Sequence, residues 1–159
     1  KEGDHDFITF GSTGISIEMN ENRDGLLLRC WHLRDLSWFD GANGQVEGVV
    51  RTWKPAYHQM ITLFGKDKVA KKVTEATGKE AFKQGHLKHI VIPADMYGDE
   101  SLMQYKYVSI WLDVENDHEI EVIGLNETYY FIPLCKTIQG YYLEYYQYNT
   151  IGLLYSRLV

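Results

Sequence analysis

Cys30, His32 and Asp35 place a thiol, an imidazole and a carboxylate within six residues, the raw material of a cysteine nucleophile. On a strand, Cys30 and His32 share one face. Leu26 and Leu28 precede them on that same face, so a buried thiol beside a hydrogen-bonded core histidine explains the spacing as well. No catalytic set is therefore assigned. His86 and His89 stand three apart at the start of an expected strand, where that spacing puts them on opposite faces, and no carboxylate accompanies them in their segment. A metal needs ligands converging from at least three positions. Neither metal nor cofactor is expected.

Asp113, Glu115, Asp117 and Glu119 crowd one hairpin tip together with Asn116. Clustered carboxylates are calcium ligands in principle, but the tip lacks a twelve-residue loop with a central glycine. A solvated tip that keeps a sheet edge from aggregating is the simpler reading. The stretch 11–14 is too short for a phosphate loop and reads as a turn. Residues 126–128 match a glycosylation acceptor, which has meaning only in a secreted eukaryotic chain. Cys30 and Cys135 fit no metal spacing and are expected as free, buried thiols. Cytoplasm and periplasm both stay open on that count.

Charge is unevenly distributed. Residues 1–50 carry four basic and nine acidic groups, 51–90 nine and three, and 91–159 three and ten. The chain is thus an acidic body with one basic segment, which argues against broad nucleic-acid binding. No apolar run approaches the ~18 residues needed to span a bilayer.

These side chains have to be positioned by a mostly antiparallel sheet. A short apolar run at 7–10 and the alternation of Ile15, Ile17 and Met19 read as strands. So do 26–33, as a more fully buried strand, and 46–53. Pro55 marks a helix start, with Tyr57, Met60, Ile61 and Phe64 as its apolar stripe and Gly65 as its stop. A second helix begins near Asp67, buries Val69, Val73 and Ala76, and is interrupted at Gly78. Lys68, Lys72, Lys79 and Lys83 form one cationic stripe if that helix runs through Gly78, either a solvated face or a dock for anionic surface. Strands return at 87–92, in a hairpin of 105–114 with 118–125, and at 129–134, 141–148 and 151–158. The expected fold is α+β, predominantly antiparallel β-sheet with a two-helix insert around residues 55–84, in a single globular domain of 1–159.

Turning the hairpin at Glu115, Asn116 and Asp117 pairs Leu112 with Ile120, Ile110 with Val122, Asp113 with Glu119 and Trp111 with Glu121. One side is then apolar: Val108, Ile110, Leu112, Ile120 and Val122. The other shows Tyr105, Tyr107, Ser109, Trp111 and Asp113 beside Glu119 and Glu121. Interfaces are enriched in such rings, and carboxylates complement a basic partner. Tyr105, Tyr107, Trp111, Asp113, Glu119 and Glu121 are the candidate partner-binding residues. The alternative is that the chain's own Tyr-rich C-terminal third covers them as core.

The segment 57–66 is similar to helix ends in small bacterial α+β proteins, among them outer-membrane assembly lipoproteins and β-lactamase inhibitors, and is too generic to specify a family. A small, acidic, aromatic-rich chain without a catalytic set has the general character of a bacterial immunity protein. The expectation is a non-enzymatic, protein-binding inhibitor of a basic toxin or enzyme. A glycan- or small-ligand-binding module stacking sugars on Trp111 is the alternative, and a cysteine enzyme around Cys30 and His32 the third.

Overall fold

The computed structural model describes residues 2–131 apart from 21, 23, 43 and 129. The expected strands at 141–148 and 151–158, and Cys135, lie outside the described residues. In chain order the elements are α1 (Glu2–Phe10), β1 (Gly14–Met19), β2 (Leu26–Trp31), β3 (Leu36–Asp40), β4 (Val46–Trp53), α2 (Tyr57–Phe64), α3 (Lys71–Glu80), β5 (Leu87–Pro93), α4 (Ala94–Tyr97), β6 (Tyr107–Asp113), β7 (His118–Leu125) and β8 (Tyr130–Phe131). Among the described residues every strand pairing is antiparallel, and the α+β class holds. The described residues form two compact units, one of 2–33 with 130–131 and one of Arg34–Thr128.

In the first unit, β1 lies between β2 and β8. The run at 7–10, expected as a strand, is the end of helix α1. A four-residue apolar run does not discriminate helix from strand. The usable signal was Gly11, which takes a φ of 74° and donates its N–H to Phe7 O at 2.9 Å, closing the helix in the left-handed conformation. Strand β2 also departs from expectation, since it is not fully buried. Leu28 is 63% exposed and Leu26 is exposed as well, opposite Ile17 and Met19 of β1. On the other face Trp31 Nε1 donates to the buried Ser16 Oγ at 2.9 Å, and the Arg29 guanidinium lies 5.9 Å from the Trp31 ring.

The second unit is a five-stranded meander in the order β3-β4-β5-β6-β7, with α2 and α3 inserted between β4 and β5. Strand β3 was not foreseen. Its five residues alternate only weakly, and what fixes them is cross-strand packing, the Phe39 ring filling the space over Gly48 on β4. The insert begins and ends at one place: Ala56 bridges Gln84, and Gly85 N donates to Pro55 O at 2.8 Å. Helix α2 starts at Tyr57 rather than at Pro55, and the Gln59 side chain accepts from Ala56 N at 2.9 Å. Gly65, at φ 88°, ends it as expected. Helix α3 starts four residues after Asp67, not at it, and runs through Gly78 to Glu80 without interruption. A glycine costs about 1 kcal/mol in a helix interior, which burial of Val73 outweighs.

The sheet is covered on both faces. On one, Tyr57, Met60, Val69 and Val73 of the insert pack with Leu87 and Ile120. On the other, Ala94 packs on Val108 and Ile110, flanked by Ile90, Ile92, Tyr97, Leu102 and Val122.

Candidate functional site

The hairpin of β6 and β7 carries the residues singled out above, and its register holds one surprise. Ile110 faces Val122 and Trp111 faces Glu121 as expected, but a bulge between Trp111 and Leu112 then sets Leu112 against Glu119 and Asp113 against His118. A bulge places two residues opposite one and turns the strand. Ile120 therefore leaves the apolar group it was assigned to and enters the core beneath the helical insert. Glu119 parts from Glu121 as well, accepting a hydrogen bond from Tyr97 Oη at 3.3 Å on the Ala94 side of the sheet. Periodicity cannot show an extra residue, which is why this was missed.

Asp113 is fully buried and shapes the tip rather than presenting itself. One of its oxygens accepts from Glu115 N at 3.2 Å and Asn116 N at 3.3 Å, the other from Asn116 Nδ2 at 2.6 Å. Asp117 completes the turn at φ 46°, a conformation short polar side chains tolerate. The tip's charge is carried outward by Glu115 and Asp117, both exposed.

Trp111 is half-buried in a transverse row that crosses all five strands: Leu36, Arg51, His89, Trp111, Glu121. The His89 and Trp111 rings stack with centroids 4.0 Å apart and planes within 1°. Phe64 and Trp53 meet Trp111 edge-on at 5.1 and 6.2 Å, and the Arg51 guanidinium lies 5.2 Å from its ring. The cover over Trp111 is thus the helical insert. His89 is buried and shares a 2.8 Å hydrogen bond with Ser109 Oγ. Burial, then the Arg51 charge, pushes its imidazole down to about 3, so it is neutral at ordinary pH. Arg51 was not singled out, and His89 was weighed only as a metal ligand or a loop or surface histidine, because their meeting with Trp111 depends on the β4–β5–β6 register, which one sequence does not reveal.

The remaining candidates line the β7 side of the sheet. Glu121 pairs with Lys68 Nζ, and His118 Nε2 bonds Lys68 O at 2.8 Å. The foreseen cationic stripe is therefore split. Lys68 docks on the chain's own acidic strand, Lys83 pairs with Glu80 at 3.2 Å, and Lys72 and Lys79 stay on the exposed face of α3. Tyr105 lays its ring over Gly124, where a Cβ would stand 2.0 Å from the ring, and Tyr107 is half-buried opposite Leu125. Tyr105, Tyr107, Glu119 and Glu121 thus all reach the β7 margin, whereas Trp111 and Asp113 brace it from within.

Cys30 Sγ lies 3.6 Å from Thr13 Oγ1, His32 falls beyond the end of β2 and is exposed, and the Asp35 carboxylate meets Arg34 Nε at 3.3 Å. Among the described residues no three His, Cys, Asp or Glu side chains converge on a metal position, and no helix is long and apolar enough to cross a membrane.

Over residues 1–139 the chain matches the family described as bacteriophage head to tail connecting protein. A search of the curated proteins gives no match. The family match overturns the immunity-type inhibitor expected from composition, together with the glycan-binding and cysteine-enzyme alternatives. Acidity, small size and many rings are shared by proteins that form many kinds of contact, so they do not specify an inhibitor.

Proposed function

The chain belongs to the bacteriophage head to tail connecting family, and from that premise we propose that it is a structural part of the joint between head and tail, binding other phage structural proteins through the β7 margin of its five-stranded sheet. The family match over most of the chain carries the class of function. The margin is favoured because β7 is the last strand of its sheet among the described residues, and a sheet edge is a template for an added strand. Along it Ile123 is 44% exposed and Glu119 is exposed. Tyr105, Tyr107 and Glu121 flank them, with Trp111 and Asp113 holding the strand from behind. The carboxylates favour a partner surface bearing lysine and arginine.

Co-assembly with purified head and tail proteins of the same phage tests this reading. Glu119→Lys and Ile123→Lys are expected to weaken capture about tenfold each, with a cooperative thermal transition retained in both. Full capture by both variants would remove the β7 margin from the proposal, and failure of the unaltered chain to join either structure would remove the proposal itself.

A further inference from the structure

The connection from β5 to β6, residues 94–106, is a closed loop. Ala94 N donates to Lys106 O at 3.0 Å, so its two ends meet. Ala94, Tyr97 and Leu102 turn inward onto the Val108 and Ile110 core. Gly98, at φ 81°, ends α4, and Asp99 accepts from Ser101 N at 2.9 Å and Ser101 Oγ at 2.8 Å. Compact loops of this kind, packed by their own side chains, are frequent sites of recognition.

This loop turns apolar and acidic side chains outward together. Met96 is 60% and Met103 50% exposed, and between and beside them Asp95, Asp99 and Glu100 are exposed. The loop's cation, Lys106, is met by Glu127 at 3.4 Å. Met is unbranched and polarizable, and it recurs on surfaces that accept apolar partners of varied shape. We propose that loop 94–106 docks a cationic amphipathic segment of another protein, its apolar side chains against Met96 and Met103 and its lysines or arginines against Asp95, Asp99 and Glu100.

The sign of the charge selects this occupant. Three carboxylates repel nucleic acid and anionic lipid, whereas a basic helix brings both complementary charge and an apolar stripe. The Tyr97 hydrogen bond to Glu119 joins the loop to the β7 margin, so one partner can span both. The inference deepens the connecting-protein reading, on which it rests only for the source of the segment.

The test uses the full chain with 13C-methyl methionine, whose four residues give one probe each at Met19, Met60, Met96 and Met103. The titrant is a synthetic peptide of about 18 residues with Leu and Lys at helical spacing. Control peptides exchange every Lys for Glu, or every Leu for Ser. The Leu/Lys peptide is expected to shift Met96 and Met103 selectively, with affinity falling about tenfold in the M96Q/M103Q variant and again in D95N/E100Q. Asp99 is left in place because it caps the turn at Ser101. Unmoved Met96 and Met103 signals overturn the proposal, as does an equal response to either control peptide. Shifts that grow with protein concentration alone make a second copy the occupant, and this too overturns it. Because the peptide titration involves no phage particle, it holds or fails separately from capture by head and tail proteins.

Discussion

His89 and Asp113 are both buried ionisable side chains, and they act in different ways. Above pH 6.5 the His89 imidazole is neutral in both folded and unfolded chains and does not tilt the balance. As pH falls from 6.5 towards 3, the unfolded chain takes up a proton that the folded one, lowered to about 3, refuses. Stability then declines by up to ~1.4 kcal/mol per pH unit from this group alone. His89→Gln is expected to flatten that dependence while adding a constant loss from the broken stack, as read by urea midpoints between pH 4 and 7.5. Parallel curves for the two proteins would show that another group carries the slope. Asp113 acts through hydrogen bonds to the tip. Asp113→Ala is expected to cost about 2–4 kcal/mol, and Asp113→Asn less, since its carbonyl oxygen still accepts from the two backbone N–H groups. Equal losses in chemical denaturation would mean that charge, not geometry, is what the tip requires.

At the scale of elements, both margins of the five-stranded sheet set an aromatic ring on a glycine: Phe39 on Gly48, Tyr105 on Gly124. Gly124→Ala is expected to destabilise by about 1–3 kcal/mol because the ring must move, and Tyr105→Ala in the same chain should recover part of that loss. Strict additivity in a double-mutant cycle would deny the contact. The sequence disclosed those elements that periodicity or a glycine stop declares. Ile15 with Ile17, the Tyr57 to Phe64 stripe ending at Gly65, and the β6–β7 hairpin all fell where expected. It concealed what depends on distant partners. Strand β3 exists by pairing with β4, Ile120 changes sides because of one extra residue, and Trp111 is covered by Phe64 of a helix more than forty residues earlier. Two of the six candidate residues, Trp111 and Asp113, belong to the framework for that reason. The other four stay together at a margin that only the strand order identifies.

At the scale of the whole molecule, Arg34–Thr128 holds both faces of its sheet covered by its own residues. A fragment of those residues is expected to fold alone, with a sigmoidal thermal transition and dispersed amide resonances. A fragment that remains unfolded would show that the rest of the chain is needed. For the full chain we propose one cooperative unfolding step, as a single domain of 1–159 requires. Tryptophan fluorescence and far-UV circular dichroism should therefore give coincident curves, and separated midpoints would divide the chain into two folding units. The helical insert adds a consequence of its own. Because its two ends leave the sheet side by side, at Ala56 and Gln84, chain added at its far turn need not part the strands on either side. A reporter domain grafted at its exposed turn near Gly65 and Lys66 is expected to leave the strand ladder unbroken.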